Sequence, residues 1–413
     1  MTPNSSSSLP GKGLYTDEAM VARREWIEQA YDCQLSALSG DERPPVELFK
    51  NNVENQIGFA QIPVAVAGPL LIHGEHAQGS FYVPLATTEG ALVASCTRGA
   101  KAVTLSGGVT VRVISDQMMR APLFLFASLV DSIRFAEWIG DHLGDIHSIA
   151  KSQTRHGRLR TIEPVILGDA VCLKLAYHTG DAYGANMVMS CNGAISQWIL
   201  DAFPSETGIA ITDHYVDSQM SAEKKVNYLT YATSVHGKRV VAECVLKREV
   251  MQDVLKTTPE DLFEGLVTAT GPAWAAGVMG YNINFANVVA AIFAATGQDL
   301  ATVPESSQGQ LSFRLQPEGL YLGVLMPALV VATVGGGVSL PSQKAGLDVL
   351  GCHGPGKALK LAEIVAATAL CLDLSTSAAI TAGHFVSAHD RLGRNRPRTG
   401  TLRLPPEHGG PVV

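Results

Sequence analysis

The chain has 413 residues, of which 46% are hydrophobic, 17% charged and only 6% aromatic, with 40 glycines. At roughly 150 residues per domain the length suits two to three domains, and the apolar content suffices for a sizeable core, so a disordered chain is excluded. A net charge of −7 argues against a nucleic-acid partner, although a local Arg or Lys cluster can still hold a phosphate.

The seven cysteines (Cys33, Cys96, Cys172, Cys191, Cys244, Cys352 and Cys371) are odd in number and form no CxxC pair. Scattered thiols of this kind predict a reduced, cytoplasmic protein. The opening MTPNSSSSLPGKG lacks the apolar stretch of a signal peptide. The most apolar window, Leu320 to Val334, is interrupted by Gly323 and Pro327 and is shorter than the ~20 residues that span a bilayer. No membrane partner is expected, and the protein reads as soluble.

In chain order, residues 1–13 read as a tail, and Asp17 to about Leu38 as an amphipathic helix with Trp26, Ile27, Ala30 and Tyr31 near helical spacing. Together 1–53 form an N-terminal helical segment. A stretch punctuated by glycine and proline runs from Asn55 to about Leu85, and Thr87 to Val103 reads as a small-residue buried helix. From 109 to 217 the order is strand (109–114), helix (128–152), two strands around the Gly168-Asp169 turn, helix (184–203) and strand (208–216). That β-α-β-β-α-β order is the split βαβ, ferredoxin-like pattern. A strand at 240–245 is followed by helical stretches at 246–257, 259–271 and 284–295. Strands follow at 310–315 and 320–326, and two more helices at 357–371 and 375–390. The predicted fold is α+β. A large mixed domain (54–108 and 218–392) carries an inserted small domain (109–217), and the Arg- and Pro-rich stretch 393–413 is a tail.

Two lookalikes carry little. Gly351 to Lys357 fits the GxxxxGK of a phosphate loop, but Ala358 stands where a hydroxyl would hold Mg²⁺, and no strong strand precedes it. His384 and His389 lie about 140° apart around a helix and do not share a face for a metal. Three segments say more. Glu89 sits at the mouth of an apolar helix, where burial would raise its pKa and suit it to donate a proton, or where it could simply balance the helix dipole. Gly180-Asp-Ala-Tyr-Gly-Ala-Asn186 opens a helix, so its amides could meet a phosphate, or Asp181 could merely cap that helix. Gly335-Gly336-Gly337 follows an apolar strand and leaves room for a ligand, or for a bend.

Taken together, these stretches resemble the 3-hydroxy-3-methylglutaryl-CoA (HMG-CoA) reductase family. The resemblance is carried by Glu54-Asn-Gln-Ile-Gly58, Pro63 to Leu70, Thr87-Thr-Glu89-Gly90, Arg112 to Pro122, the GDAYGANM turn, Gly280-Tyr-Asn282, Gly297-Gln-Asp299, the triple glycine, and Ala382-Gly-His384 through His389. They occur in the family's order from about residue 50 to 390, and without membrane spans the chain is similar to a soluble form of the class that includes the eukaryotic catalytic domain.

The resemblance implies that an acyl-CoA thioester is reduced to an alcohol with two NADPH and no metal, by way of a hemithioacetal and an aldehyde. It implies that Lys224 holds the oxyanion, Glu89 donates a proton, Asp299 sits beside both, and His389 protonates the departing thiolate. Asp181, Tyr183, Gly184 and Asn186, with Gly335 and Gly336, would bind the dinucleotide, and Arg155 its 2′-phosphate. Glu54, Arg120, Asp217, Glu223, Lys225 and Asn287 would line the substrate site. The resemblance further implies a homodimer or homotetramer with the active site between subunits. Several positions depart from the family: Asp217 for serine, Glu223 for aspartate, Tyr183 for methionine, Val267 for lysine and Asn284 for histidine. The lost positive charge leaves open a different acyl-CoA or acyl-carrier substrate. A non-catalytic nucleotide-binding relative is a further alternative.

Overall fold

The computed structural model describes residues 9–40, 44–50 and 52–385. In chain order the helices are α1 (Asp17–Tyr31), α2 (Leu92–Leu105), α3 (Leu129–Asp141), α4 (Leu143–Gln153), α5 (Ala185–Thr207), α6 (Tyr228–Thr233), α7 (Arg248–Val250), α8 (Pro259–Ala275), α9 (Phe285–Thr296), α10 (Val303–Ser306), α11 (Pro341–Val349) and α12 (Ala358–Thr381). The strands are β1 (Val64–His73), β2 (Gln78–Ala86), β3 (Val109–Arg120), β4 (Leu123–Leu125), β5 (Arg158–Ile166), β6 (Ala170–His178), β7 (Asp213–Tyr215), β8 (Gly237–Lys247), β9 (Gly280–Tyr281), β10 (Gly309–Gln316) and β11 (Gly319–Leu329).

One mixed sheet runs β2-β1-β3-β8-β11-β10-β9, antiparallel except where β1 meets β3 and β10 meets β9. Along β8 the residues Val240, Ala242, Cys244 and Leu246 are buried while their neighbours are less so, the period-two signature of a strand with one face in the core. Helix α12 lies against β8, β3 and β11. It is long and apolar enough to cross a membrane, with a mean hydropathy of 1.6, but 89% of that window is buried inside the protein. Each fully buried Leu or Ile on it stabilises the fold by about 1.5–3 kcal/mol. Helix α2 packs on α12 at Gly99, where an added Cβ would lie 1.9 Å from the Cys371 carbonyl oxygen. Only glycine permits that approach.

A second, antiparallel sheet has the order β7-β4-β6-β5 and its own core, centred on Phe124, Phe135, Tyr177 and Phe203. The sequence pattern anticipates β5, β6 and β7 as members of a split βαβ unit, but the expected first strand at 109–114 pairs with β8 in the larger sheet, and β4 stands between β6 and β7 instead. Strand β3 belongs to both sheets. Its first part pairs with β8, its register slips between Val113 and Ser115, and its last residues, Met118 to Arg120, pair with β6. A bulge of this kind bends a strand, and it delivers Arg120 to the junction between the two sheets.

Several elements differ from expectation. Helix α1 stops at Tyr31 because Asp32 turns left-handed (φ 50°). The punctuated stretch before residue 85 contains the β1–β2 hairpin, hidden by Gly68-Pro69 at a register slip within β1. The helix expected over 128–152 is broken at His142 into α3 and α4. The two helices expected at 357–371 and 375–390 are one helix to Thr381, because Asp373, Ser375 and Thr376 are buried in the core rather than marking a loop. The 246–257 stretch is one short helical turn that passes into a π turn at Met251–Leu255.

Candidate active site

Lys224 lies in a loop whose backbone turns left-handed at both Ala222 (φ 52°) and Lys224 (φ 62°). Such a conformation costs a non-glycine residue about 1–3 kcal/mol and persists only where neighbours hold it. The neighbours come from residues 299–308. The Lys224 ammonium lies 2.9 Å from Asp299 Oδ2. The Lys224 backbone N–H donates to Glu305 Oε1 at 3.0 Å, and the Asn227 N–H donates to Gln308 Oε1 at 3.3 Å. Asp299 is itself fixed by accepting the Ala301 N–H at 3.0 Å. Glu305 is fully buried and faces the equally buried His236, with Nδ1 and Oε2 2.8 Å apart, though misaligned for an ideal hydrogen bond. Glu305, Gln308 and His236 were not singled out from the sequence. A carboxylate whose partners are a backbone amide and a distant ring leaves no spacing signal.

Glu89 does not begin a helix, and it is exposed rather than buried. Helix α2 starts only at Leu92, after a left-handed Ala91 (φ 71°), and the Glu89 N–H is held by Thr87 Oγ1 at 3.0 Å. Its carboxylate accepts from Asn287 Nδ2 at 3.1 Å. Asn287 sits in the first turn of α9, whereas Asp299 lies beyond its last residue. A helix of 12 residues is about 18 Å long, far beyond hydrogen-bond reach. Within one chain Asp299 pairs with Lys224, and Glu89 with Asn287. The start of α9 is seated by Asp373 of α12, which accepts the Ile283 N–H at 2.7 Å and the Asn284 N–H at 2.9 Å. Complete burial pushes Asp373 up to about 7, against the pull of those two amides. Asn284, at the family's histidine position, bonds Thr376 Oγ1 at 3.1 Å. His389 lies outside the described residues.

The dinucleotide segments converge. Gly184 (φ 83°) precedes α5, whose first turn receives no side-chain cap. A long helix with open amides at its start suits a phosphate group. Thr154 to Gly157 packs against that turn, since a Cβ on Gly157 would lie 2.4 Å from Met187 Cε. This brings the exposed Arg155 and Asn186 to one surface. Thr333 and Val334, just before the triple glycine, donate to the Asp181 carbonyl at 2.8 and 3.3 Å. Gly335 (φ 125°) opens onto free space, while a Cβ on Gly336 would strike Asn52 Oδ1 at 2.3 Å. The loop bearing the exposed Glu54 thus reaches the same glycines. The donors and open backbone fit a pyrophosphate and a 2′-phosphate. The Asp181 carboxylate is a different matter. It accepts the N–H groups of Gly356 (2.7 Å) and Ala358 (3.0 Å), capping α12 rather than its own helix. The same two bonds give the phosphate-loop lookalike at 351–357 a structural role.

The substrate cations are less available than the sequence suggests. Arg120 is 4% exposed and forms a 2.5 Å ion pair with Glu223, which also accepts from the Tyr183 hydroxyl. Burial works against both charges, yet each holds the other ionised: Arg120 lies above its ordinary pKa and Glu223 below. Burial, then the bond to Glu223, raises the Tyr183 phenol. Lys225 is exposed. Asp217 is turned to the backbone, accepting from the N–H groups of Ala121 (3.3 Å) and Ser218 (3.0 Å). It is a loop anchor as much as a pocket wall.

A lysine paired with a carboxylate, near an open helix start flanked by glycine loops, equips a nucleotide-dependent reductase. The comparisons narrow that class. The sequence matches the profile described as hydroxymethylglutaryl-coenzyme A reductase over residues 19–394, so the chain belongs to the HMG-CoA reductase family of oxidoreductases. It is 45% identical over 388 residues to 3-hydroxy-3-methylglutaryl-coenzyme A reductase of Aeropyrum pernix, covering 92% of this chain and 90% of that one. It is 37% identical to reductase 1 of Dictyostelium discoideum, over 92% of this chain and 69% of that one. In fold it matches the class II HMG-CoA reductase of Streptococcus pneumoniae bound to NADPH, with a TM-score of 0.70 over 89% of this chain and 87% of that one at 20% identity.

Proposed function

We propose that this chain catalyses the NADPH-dependent four-electron reduction of HMG-CoA to mevalonate and CoA, in a site completed by a second copy of the chain. The observation that carries this reading is the division of the site residues between the two ends of α9. Lys224 with Asp299 is held at one end and Glu89 with Asn287 at the other. Each group faces solvent, with Lys224 42% and Asp299 34% exposed. A twofold assembly that sets one end against the partner's other end joins them without moving either. Trp274 on α8 and Ile380 on α12 are 73% and 53% exposed, apolar surface that a partner would cover.

Two molecules of NADPH in succession would each supply one hydride, held by the open start of α5, by Gly335 and by Asn186, with Arg155 at the 2′-phosphate. The residues of the chain manage charge and protons. The Lys224 ammonium stabilises the oxyanion formed when the thioester carbon gains hydride. Collapse of the resulting hemithioacetal breaks the carbon–sulfur bond, the pair of electrons leaves with sulfur, and His389 protonates the thiolate. The aldehyde then becomes an alkoxide, again beside Lys224, and Glu89 gives the proton that completes the alcohol. Asp299 aims the Lys224 ammonium through their 2.9 Å ion pair. Seven unpaired cysteines, six of them buried, fit a reducing cytoplasm. NADPH oxidation with HMG-CoA, set against a panel of acyl-CoAs lacking the distal carboxylate, tests the reading. Equal or faster turnover of the panel would overturn the substrate assignment.

A further inference from the structure

Around Lys224 the structure holds more than its side chain. The backbone amide of Lys224 is in a strained left-handed conformation, and its acceptor is Glu305, a carboxylate with no exposed surface. A buried carboxylate needs partners for both its oxygens. The second oxygen of Glu305 faces Nδ1 of His236, 2.8 Å away and 1% exposed. His236 in turn packs edge-on against Tyr183 of the dinucleotide turn, with ring centres 6.3 Å apart. Glu305 lies six positions beyond Asp299 in the same short stretch. One segment therefore grips the lysine twice, by its ammonium and by its amide. Neither Glu305 nor His236 has surface through which to touch substrate.

We propose that Glu305 and His236 are positioning residues for Lys224. Glu305 fixes the left-handed turn that points the ammonium at Asp299, and His236 fixes Glu305. This rests on the reading of Lys224 as the cation that holds the oxyanion. Released from Glu305, the Lys224 turn relaxes toward ordinary backbone conformations and the ammonium moves away from the reacting oxygen. A displacement of about 1 Å can cost roughly 100-fold in rate.

The test measures kcat and the NADPH KM for hydride transfer in the full-length oligomer. Glu305→Ala should lower kcat about 100-fold, as expected for a misplaced catalytic group, and leave the NADPH KM within a factor of about two, because Glu305 does not touch the cofactor site. Glu305→Gln keeps an oxygen for the Lys224 amide and should recover most of that loss. His236→Leu should lower kcat by a smaller factor. Should Glu305→Ala not fold, Glu305→Asp supplies the same test, since it keeps the charge and withdraws the oxygens by one methylene. Unchanged kcat in the Ala or Asp variant overturns the proposal. So does a loss that tracks the folded fraction by near-UV circular dichroism, or one that Gln does not restore. If Lys224→Ala retains hydride transfer, the reading of Lys224 itself fails and the proposal falls with it. If Lys224→Ala is inactive while Glu305→Ala is fully active, only the positioning role is wrong.

Discussion

The two ends of helix α9 carry chemically opposite sites. At its start a carboxylate, Glu89, is exposed and held by a neutral amide, Asn287. Beyond its end a cation, Lys224, is paired with Asp299 and anchored through its backbone to a buried carboxylate. The first arrangement leaves an exposed carboxylate; the second fixes a charge in place. Proton transfer tolerates a mobile group because the proton crosses only at close approach. Oxyanion stabilisation requires a charge already in position, since reorganising it during the reaction would raise the barrier. Each end holds one kind of group, and α9 separates them.

The comparison breaks most sharply at Lys224. Lys224→Ala should lower turnover of both thioester and aldehyde by about 10³-fold or more, because both steps develop charge on oxygen. Single-turnover measurements on each substrate check this, and a variant that spared either step would remove Lys224 from that step. Next in size is complementation. Glu89→Gln and Lys224→Ala chains should each be nearly inactive alone. Mixed in equal amounts and allowed to exchange subunits, they should recover about 25% of wild-type activity, since half of the twofold dimers are hybrids with one intact site. No recovery despite subunit exchange by native mass spectrometry would place both groups in one chain's site.

The remaining predictions sharpen the surroundings of the two ends. Arg155→Ala should raise the NADPH KM about 10- to 100-fold, the worth of one charge-assisted contact, and barely alter that for NADH. Equal effects on the two cofactors would move Arg155 away from the 2′-phosphate. Asp181→Ala removes two amide bonds at the start of α12 and should destabilise the fold by about 1–3 kcal/mol, read as a shift in urea midpoint. A change in NADPH affinity without loss of stability would give Asp181 a direct cofactor role instead. The smallest effect is expected at α8. Val267→Lys restores positive charge on an exposed face, and a solvated ion pair is worth about 0.2–1 kcal/mol. HMG-CoA kcat/KM should rise a few-fold at low salt and lose that gain at high salt. A gain insensitive to salt would exclude charge as its cause.

Much of this was legible in the amino-acid order. The strands read at 240–245 and 320–326 correspond to β8 and β11, the pair around Gly168-Asp169 to β5 and β6, and the segments around Glu89 and Asp299 carried the family resemblance. Those signals are local: periodicity and turn chemistry depend on neighbours a few positions apart. Other features depended on contacts the sequence does not encode by spacing. The Asp181 carboxylate caps a helix 177 positions away, and Glu305 meets Lys224 81 positions back. Their partners are backbone amides, which every residue but proline possesses, so no residue type marks them in advance. The β1–β2 hairpin was obscured by a Gly-Pro pair that only the slipped register of β1 accommodates, and α12 by polar residues that only a packed core can satisfy. The sequence alone marked Glu89, Lys224 and Asp299 as candidates, through the family resemblance. The tertiary structure decided which of them lie together, because α9 stands between the Glu89–Asn287 pair at its start and the Lys224–Asp299 pair beyond its end.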